Sequence, residues 1–342
     1  MMNSTKDFKK IFKDKTILIT GGTGSFGTYF VKKLLDFKVL KKIIIFSRDE
    51  LKQYELKDKL KDTTSVMRFF IGDIRDKERL LFATKNVDFI VHAAALKQVP
   101  AAEYNPFECI KTNVLGAQNV VDVAIENKVK KVVALSTDKA ALPINLYGAS
   151  KLASDKLITA ANNIVGKANI KFSVVRYGNV LNSRGSLVPF LLKLKKKGTK
   201  IFPLTHTKMT RFWITLDQAT NFVLNSFRIM KGGEIFVPKI PSIKIVNLMR
   251  MIEPQAKFKN IGIRPGEKIH ELMCPADSAF NTIEFKSFYV ISPSTIDKMQ
   301  ILKTYSNYLG ERGKKVPEGF EYRSDTNKDF LSNKEIKVLL KR

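Results

Sequence analysis

Apolar and polar residues alternate along the first half of the chain in blocks of two kinds. Thr16–Thr20 (TILIT) is a β-branched apolar run that stops at glycines. A run apolar on both faces suits a strand buried inside a parallel sheet. Ser25–Phe37 then spaces its apolar residues at the helical period. Lys42–Phe46 (KIIIF), Arg68–Ile71, Val87–His92, Lys131–Ser136 (KVVALS) and Phe172–Arg176 repeat the strand pattern. Leu51–Leu60, Val114–Asn127 and Ser150–Asn163 read as helices between them. This alternation predicts an α/β fold, a doubly wound parallel sheet with helices on both faces.

Beyond about Gly178 the pattern loosens. Prolines 189, 203, 238, 241, 254, 265 and 275 punctuate short elements, which predicts a smaller C-terminal lobe over the carboxyl edge of the sheet. The expected division is 12–182 for the sheet domain, with 209–240 returning to it. Residues 183–208 and 241–342 form the lobe.

The 342 residues are 44% hydrophobic and 27% charged, globular rather than disordered. A chain of this length needs neither disulfides nor a structural metal to stabilise a core. Lys and Arg number 60 against 32 Asp and Glu, a net +28, which raises the question of an anionic partner. Most of the excess is lysine in pairs and short runs such as Lys195-Lys196-Lys197, the pattern of solvated helix faces. No helix-turn-helix, zinc-finger or aromatic RNA-binding signature accompanies it, so no nucleic-acid partner is expected. Cys109 and Cys274 stand alone, without a disulfide framework or a zinc pattern, and no metal is expected. The N-terminus has no apolar signal core, and no stretch approaches the ~20 apolar residues of a membrane span. A soluble, cytoplasmic protein is the expectation.

Candidate chemistry begins at the first strand's end. Thr20-Gly-Gly-Thr-Gly-Ser-Phe-Gly27 sets glycines at 21, 24 and 27, with Thr23, Ser25 and Phe26 between them. Glycine permits a tight turn and close backbone approach to a pyrophosphate seated on a helix N-terminus. In a strand–turn–helix setting this points to a dinucleotide. Ser47, Arg48, Asp49 and Lys52 follow the second strand. Ser47 and Arg48 suit a 2′-phosphate and favour NADP, while Asp49 keeps NAD as the alternative. Asp73 and Ile74, after the third strand, are expected at the adenine edge, with a helix N-cap as the other reading of Asp73. The turn His92-Ala93-Ala94-Ala95 is expected to line the cofactor, or else to be plain sheet packing.

Tyr147 and Lys151 form Tyr-x-x-x-Lys, whose i, i+4 spacing puts both side chains on one helix face. An ammonium beside a phenol favours tyrosinate, so Tyr147 is expected to have a lowered pKa and to remove a hydroxyl proton. Ser136-Thr137-Asp138-Lys139 ends the fifth strand and points into the same crevice. Asp138 and Lys139 are an acid–base pair that plain oxidation or epimerisation does not need and a dehydration does; a loop ion pair is the alternative.

The glycine turn followed by Tyr147 and Lys151 resembles the short-chain dehydrogenase/reductase superfamily in its extended, Rossmann-type branch, whose longer C-terminal lobe fits nucleotide-sugar substrates. From about Lys15 onward the stretches TGGTGSFG, FSRDELKQ, RFFIGDIRD, HAAALKQVP, AEYNPFECIKTN, LSTDKA, LYGASK, SVVRYGNV, SRGS, MTRFWIT, GGEIFVPKIPS and GIRPGEK are similar to the inverting UDP-N-acetylglucosamine 4,6-dehydratases of pseudaminic acid biosynthesis. Retaining dehydratases carry Thr-Asp-Glu where this chain has Thr137-Asp138-Lys139.

The resemblance implies a lyase that recycles NADP and inverts carbon 5. Tyr147 and Lys151 serve the carbon 4 hydroxyl, Lys139 takes the carbon 5 proton, Asp138 protonates the departing carbon 6 hydroxyl, and Thr137 binds the carbon 4 oxygen. Such a Lys139 needs a depressed pKa and Asp138 a raised one. The resemblance further implies that Lys97 borders cofactor and sugar and that Asn179 and Val180 line the pocket. Leu135 and Ser136 join the sugar site, while Arg184, Gly185, Ser186, Arg211, Arg264 and Glu267 grip the UDP. It implies a homo-oligomer, a hexamer in size, whose product serves flagellin or surface-polysaccharide glycosylation. The competing readings are a UDP-N-acetylglucosamine 4-epimerase, a related capsule-sugar dehydratase, and a cofactor-sensing or RNA-binding module.

Overall fold

A computed structural model describes residues 5–340 apart from 61, 63, 64, 167, 182, 184, 294–298, 300, 301 and 304–309. Six strands, β1 (Thr16–Thr20), β2 (Lys42–Ser47), β3 (Met67–Ile71), β4 (Phe89–His92), β5 (Lys131–Thr137) and β6 (Lys171–Tyr177), lie parallel in the order β3-β2-β1-β4-β5-β6. Alternate residues of each strand enter opposite cores, as a two-residue period requires. Ile17, Ile19, Ile43, Ile45, Val91 and Val133 pack on one face. Leu18, Ile44, Ile90, Val132 and Val174 pack on the other. Strand order reverses at β1, and a crevice opens there at the carboxyl ends of the strands. The doubly wound parallel sheet expected from sequence is therefore the fold.

The sheet is longer than the pattern suggested. Ile235–Pro238 adds a parallel strand beside β6. Phe288–Ile291, Thr282–Glu284 and Lys314–Lys315 extend it antiparallel to ten strands. These last three come from the stretch grouped with the lobe by sequence. Only register-matched pairing reveals such short strands.

The helix Val114–Asn127 also differs. A π-helical turn, Lys111–Leu115, precedes an α-helix at Gly116–Glu126. The wide turn aims Asn113 at the loop after β4. Its Nδ2 donates to Leu96 O at 2.9 Å and its Oδ1 accepts from Leu96 N at 2.8 Å.

A third apolar cluster gathers Leu181, Phe202, Trp213, Leu248 and Ile336 over the carboxyl edge of the sheet. Trp213 belongs to this core, 5% exposed. Among the described residues no helix is long and apolar enough to cross a membrane, and no group of three or more His, Cys, Asp or Glu could hold a metal.

Candidate active site

A cleft of about 780 Å³ runs along the carboxyl ends of the strands, from the glycine turn to the lobe. At its start Gly21 has φ +66°, and a Cβ there would stand 2.9 Å from Ala94 N. A Cβ on Gly27 would come within 2.6 Å of the Gly22 backbone. The helix Ser25–Leu35 begins at Gly24 without a side-chain cap, so its positive end faces the cleft as an anion cradle demands. Gly21, Thr23, Gly24, Ser25, Phe26 and Gly27 all line it.

Ser47, Arg48, Asp49 and Lys52 line the same end. The buried Gln53 donates to Ser47 O at 3.1 Å, Ser47 Oγ at 3.0 Å and Phe70 O at 3.0 Å, fixing this turn. Lys52 pairs with Asp49 and holds its carboxyl below the usual range. Arg48 remains 57% exposed, 3.7 Å from Asp73. Ile74, Ala93 and Lys97 line the cleft, and Asp73 stands between the lining residues Gly72 and Ile74. Arg75 holds the Asp73 carboxylate at 2.6–3.0 Å. Asp76, not Asp73, caps the following helix Lys77–Ala83. His92, beneath this turn, is buried and hydrogen-bonds Thr20 Oγ1 at 2.8 Å.

Deeper in, β5 ends in Leu135, Ser136 and Thr137, and Asp138–Ala140 forms a single 3-10 turn. The Asn145 side chain caps the helix Leu146–Ile164 by accepting from Gly148 N at 2.7 Å. The first turns of this helix carry Tyr147 and Lys151. Asn145 Nδ2 also donates to Gly266 O at 2.7 Å, tying this helix start to the loop of Arg264 and Glu267. Thr137, Asp138, Lys139, Tyr147, Lys151, Asn179, Val180, Gly185, Ser186, Arg211, Arg264 and Glu267 line one cleft. Arg184 lies outside the described residues.

The charge states differ from the sequence expectation in two respects. Lys139 Nζ donates to Asp138 Oδ1 at 3.0 Å and to Glu271 Oε1 at 3.1 Å. Burial alone would lower its pKa, as expected, but these two carboxylates outweigh burial and raise it. The ammonium form of Lys139 is thereby favoured. Tyr147 is pushed up to about 12 by burial rather than lowered, with Lys139 and a Thr137 hydrogen bond opposing. Lys151 is itself lowered by burial, which weakens the ammonium field the sequence argument relied on. Asp138 is raised as expected, by burial and then by Glu271.

Sequence reasoning missed Glu271 and Lys268, which line the cleft between these groups. Lys268 closes the GIRPGEK stretch and Glu271 follows three residues later, yet neither was given a role. Sequence gave no signal that Glu271 folds back 132 residues to meet Lys139. Arg211 is occupied by carboxylates as well, with Nη2 3.2 Å from Glu267 Oε1 and Nε 3.4 Å from Glu271 Oε1. Behind the wall, Arg176 and Ser136 Oγ both donate to Asp155 Oδ2, at 3.0 and 2.8 Å, entirely out of water.

The model of the family described as "Polysaccharide biosynthesis protein" matches residues 17–293. The chain belongs to this family. It is 57% identical over 326 residues to a Campylobacter jejuni protein named "UDP-N-acetylglucosamine 4,6-dehydratase (inverting)", covering 95% of this chain and 97% of that one. A Rickettsia canadensis protein named "UDP-glucose 4-epimerase" is 39% identical, with 96% of each chain covered. The X-ray structure of Pen from Bacillus thuringiensis superposes with a TM-score of 0.86 at 37% identity, over 96% of this chain and 98% of that one.

Proposed function

We propose that this protein is a UDP-N-acetylglucosamine 4,6-dehydratase that inverts carbon 5, giving UDP-2-acetamido-2,6-dideoxy-β-L-arabino-hex-4-ulose. The observation that carries the reading is that Asp138 and Lys139 line the same cleft as Tyr147 and Lys151. An epimerase would leave that acid–base pair without work. The 57% identical relative of the same name supports it further.

The uncapped helix after Gly24 and the close-packed glycines fit a dinucleotide pyrophosphate, with Ser47 and Arg48 at the 2′-phosphate of NADP. When bound, such a cofactor supplies reversible hydride storage, from carbon 4 of the sugar and back to carbon 6. The chain's own groups manage the protons. Tyr147, one helical turn from Lys151, accepts the carbon 4 hydroxyl proton as tyrosinate, a form that burial disfavours and that Lys139 and the Thr137 hydrogen bond favour, and Thr137 steadies that oxygen. The 4-ketone acidifies carbon 5, and Lys139 takes its proton. Asp138, already biased toward its acid form, protonates the carbon 6 hydroxyl as it leaves. A solvent-derived proton, added to carbon 5 from the other face, closes the enolate and inverts that carbon. Lys97 borders cofactor and sugar, and Arg264 and Glu267 hold the nucleotide end, where arginine donates to diphosphate oxygens bidentately; Arg211, its donors taken by Glu267, Glu271 and backbone carbonyls, braces that wall. The working unit is a homo-oligomer, and its product belongs to nonulosonic acid biosynthesis.

Incubation with UDP-N-acetylglucosamine in deuterium oxide tests this. Mass spectrometry should report loss of one water, and proton NMR should find solvent deuterium at carbon 5 of an inverted product. The hydrogen moved from carbon 4 to carbon 6 should stay unlabelled. A product of unchanged mass would return the protein to the epimerase reading.

A further inference from the structure

Glu271 is a charged group in the cleft that no assigned role explains. It directly precedes the strand Leu272–Cys274 and is held by its backbone from both sides. Glu271 N donates to Ser324 Oγ and Ser324 N donates to Glu271 O, each at 2.9 Å. Its side chain is 1% exposed. Oε1 meets Lys139 Nζ at 3.1 Å and Arg211 Nε at 3.4 Å, while Oε2 is buried without a hydrogen-bond partner. A carboxylate taken out of water is costly unless it is paired, and this one is pinned where the lobe meets β5. Asp138 is the chain neighbour of Lys139 and moves with it. Among the described residues, Glu271 is the carboxylate that holds the lysine's nitrogen from outside its own turn.

We propose that Glu271 is the positioning residue for Lys139, a buried carboxylate that orients its nitrogen in the cleft, couples it to Arg211, and stabilises the ammonium formed when Lys139 removes a proton. The inference rests on the dehydratase reading. In the step concerned, the carbon 5–hydrogen bond breaks and its electron pair enters the enolate of the 4-ketone. The proton forms a new bond to Lys139 nitrogen, and positive charge develops 3.1 Å from Glu271. A base held by a third group is the general logic of such constellations.

The groups facing Lys139 are Asp138, Glu271, Arg211, Tyr147 and Lys268. Removing one negative charge from this set makes protonation of both Lys139 and Asp138 less favourable. The acidic limb of activity therefore moves to lower pH, whichever of the two it reports.

The test compares wild type, Glu271→Gln and Glu271→Asp by steady-state kinetics across pH, with melting temperature measured alongside. For Glu271→Gln, kcat should fall by at least ~10-fold with KM for UDP-N-acetylglucosamine within ~3-fold, and the acidic limb should shift to lower pH. Glu271→Asp should recover part of kcat and keep the wild-type limb. Wild-type kcat and an unshifted limb in the Gln variant would overturn the inference. If the Gln variant does not fold, the Asp variant decides: reduced kcat supports the proposal, and full kcat with only a lowered melting temperature overturns it. Failure of the wild type to release water would instead remove the dehydratase reading itself.

Discussion

At Lys139 the chemistry proposed and the direction of its pKa are opposed. The lysine must be neutral to accept a proton, and its two carboxylate partners favour the ammonium. The same cluster resolves the conflict. Asp138 is raised by burial and Glu271, so one proton can pass from Lys139 nitrogen to Asp138 oxygen across their 3.0 Å contact. That neutral pair would be the acid and base of the proposed dehydration. The titration belongs to the pair rather than to either residue. A second residue-scale argument concerns the cofactor. Arg48 is 57% exposed, and Asp49 is tied to Lys52. Arg48→Glu should weaken NADP binding by at least ~10-fold and NAD far less, since it sets like charge against a 2′-phosphate. Calorimetric titration with both cofactors checks this, and equal losses would remove Arg48 from the phosphate site.

Among the elements, the glycine turn separates two jobs within one short segment. A Cβ on Gly24 would meet only Gly21 O, at 3.2 Å, whereas on Gly27 it would press to 2.6 Å on the Gly22 backbone. Gly24→Val should therefore keep the fold but lose the cofactor, because its side chain would fill the approach to the helix N-terminus. Gly27→Ala should lower the melting temperature, at a cost of about 1–3 kcal/mol for overpacking. Thermal unfolding and co-purifying cofactor together read both outcomes, and a Gly24→Val protein that retains cofactor would place the pyrophosphate elsewhere. The π-helical turn at Lys111–Leu115 works at the same scale. It lets Asn113 hold both backbone groups of Leu96 and so fixes a loop that lines the cleft.

The whole molecule hides a neutral histidine in its sheet. Burial, then the nearby Lys151, lower the His92 pKa to about 3 from 6.5. Folded protein thus keeps His92 uncharged while unfolded chain protonates it below 6.5. Its contribution is fully present above 6.5 and is lost as pH falls toward about 3, at roughly 1.4 kcal/mol per pH unit inside that window. Urea unfolding at pH 6.5 and 4.5 should show wild type losing more stability than His92→Asn across the interval; equal losses would contradict the buried-neutral state. Sequence alone determined much of this architecture. The apolar runs of β1 to β6, the spacing of Gly21, Gly24 and Gly27, and the succession Thr137, Asp138, Lys139, Tyr147, Lys151 are local patterns, and local patterns survive in one dimension. Tertiary structure decided the rest. Thr282–Glu284 and Phe288–Ile291 are too short to announce themselves, and only pairing makes them strands of the main sheet. The Asp73 carboxylate is held by Arg75, two residues on in the chain, and stands near Arg48. The Lys139 pKa is raised by its chain neighbour Asp138 and then by Glu271, a carboxylate 132 residues away that folds against it, and that second contribution comes from a neighbour that the order of the chain does not name.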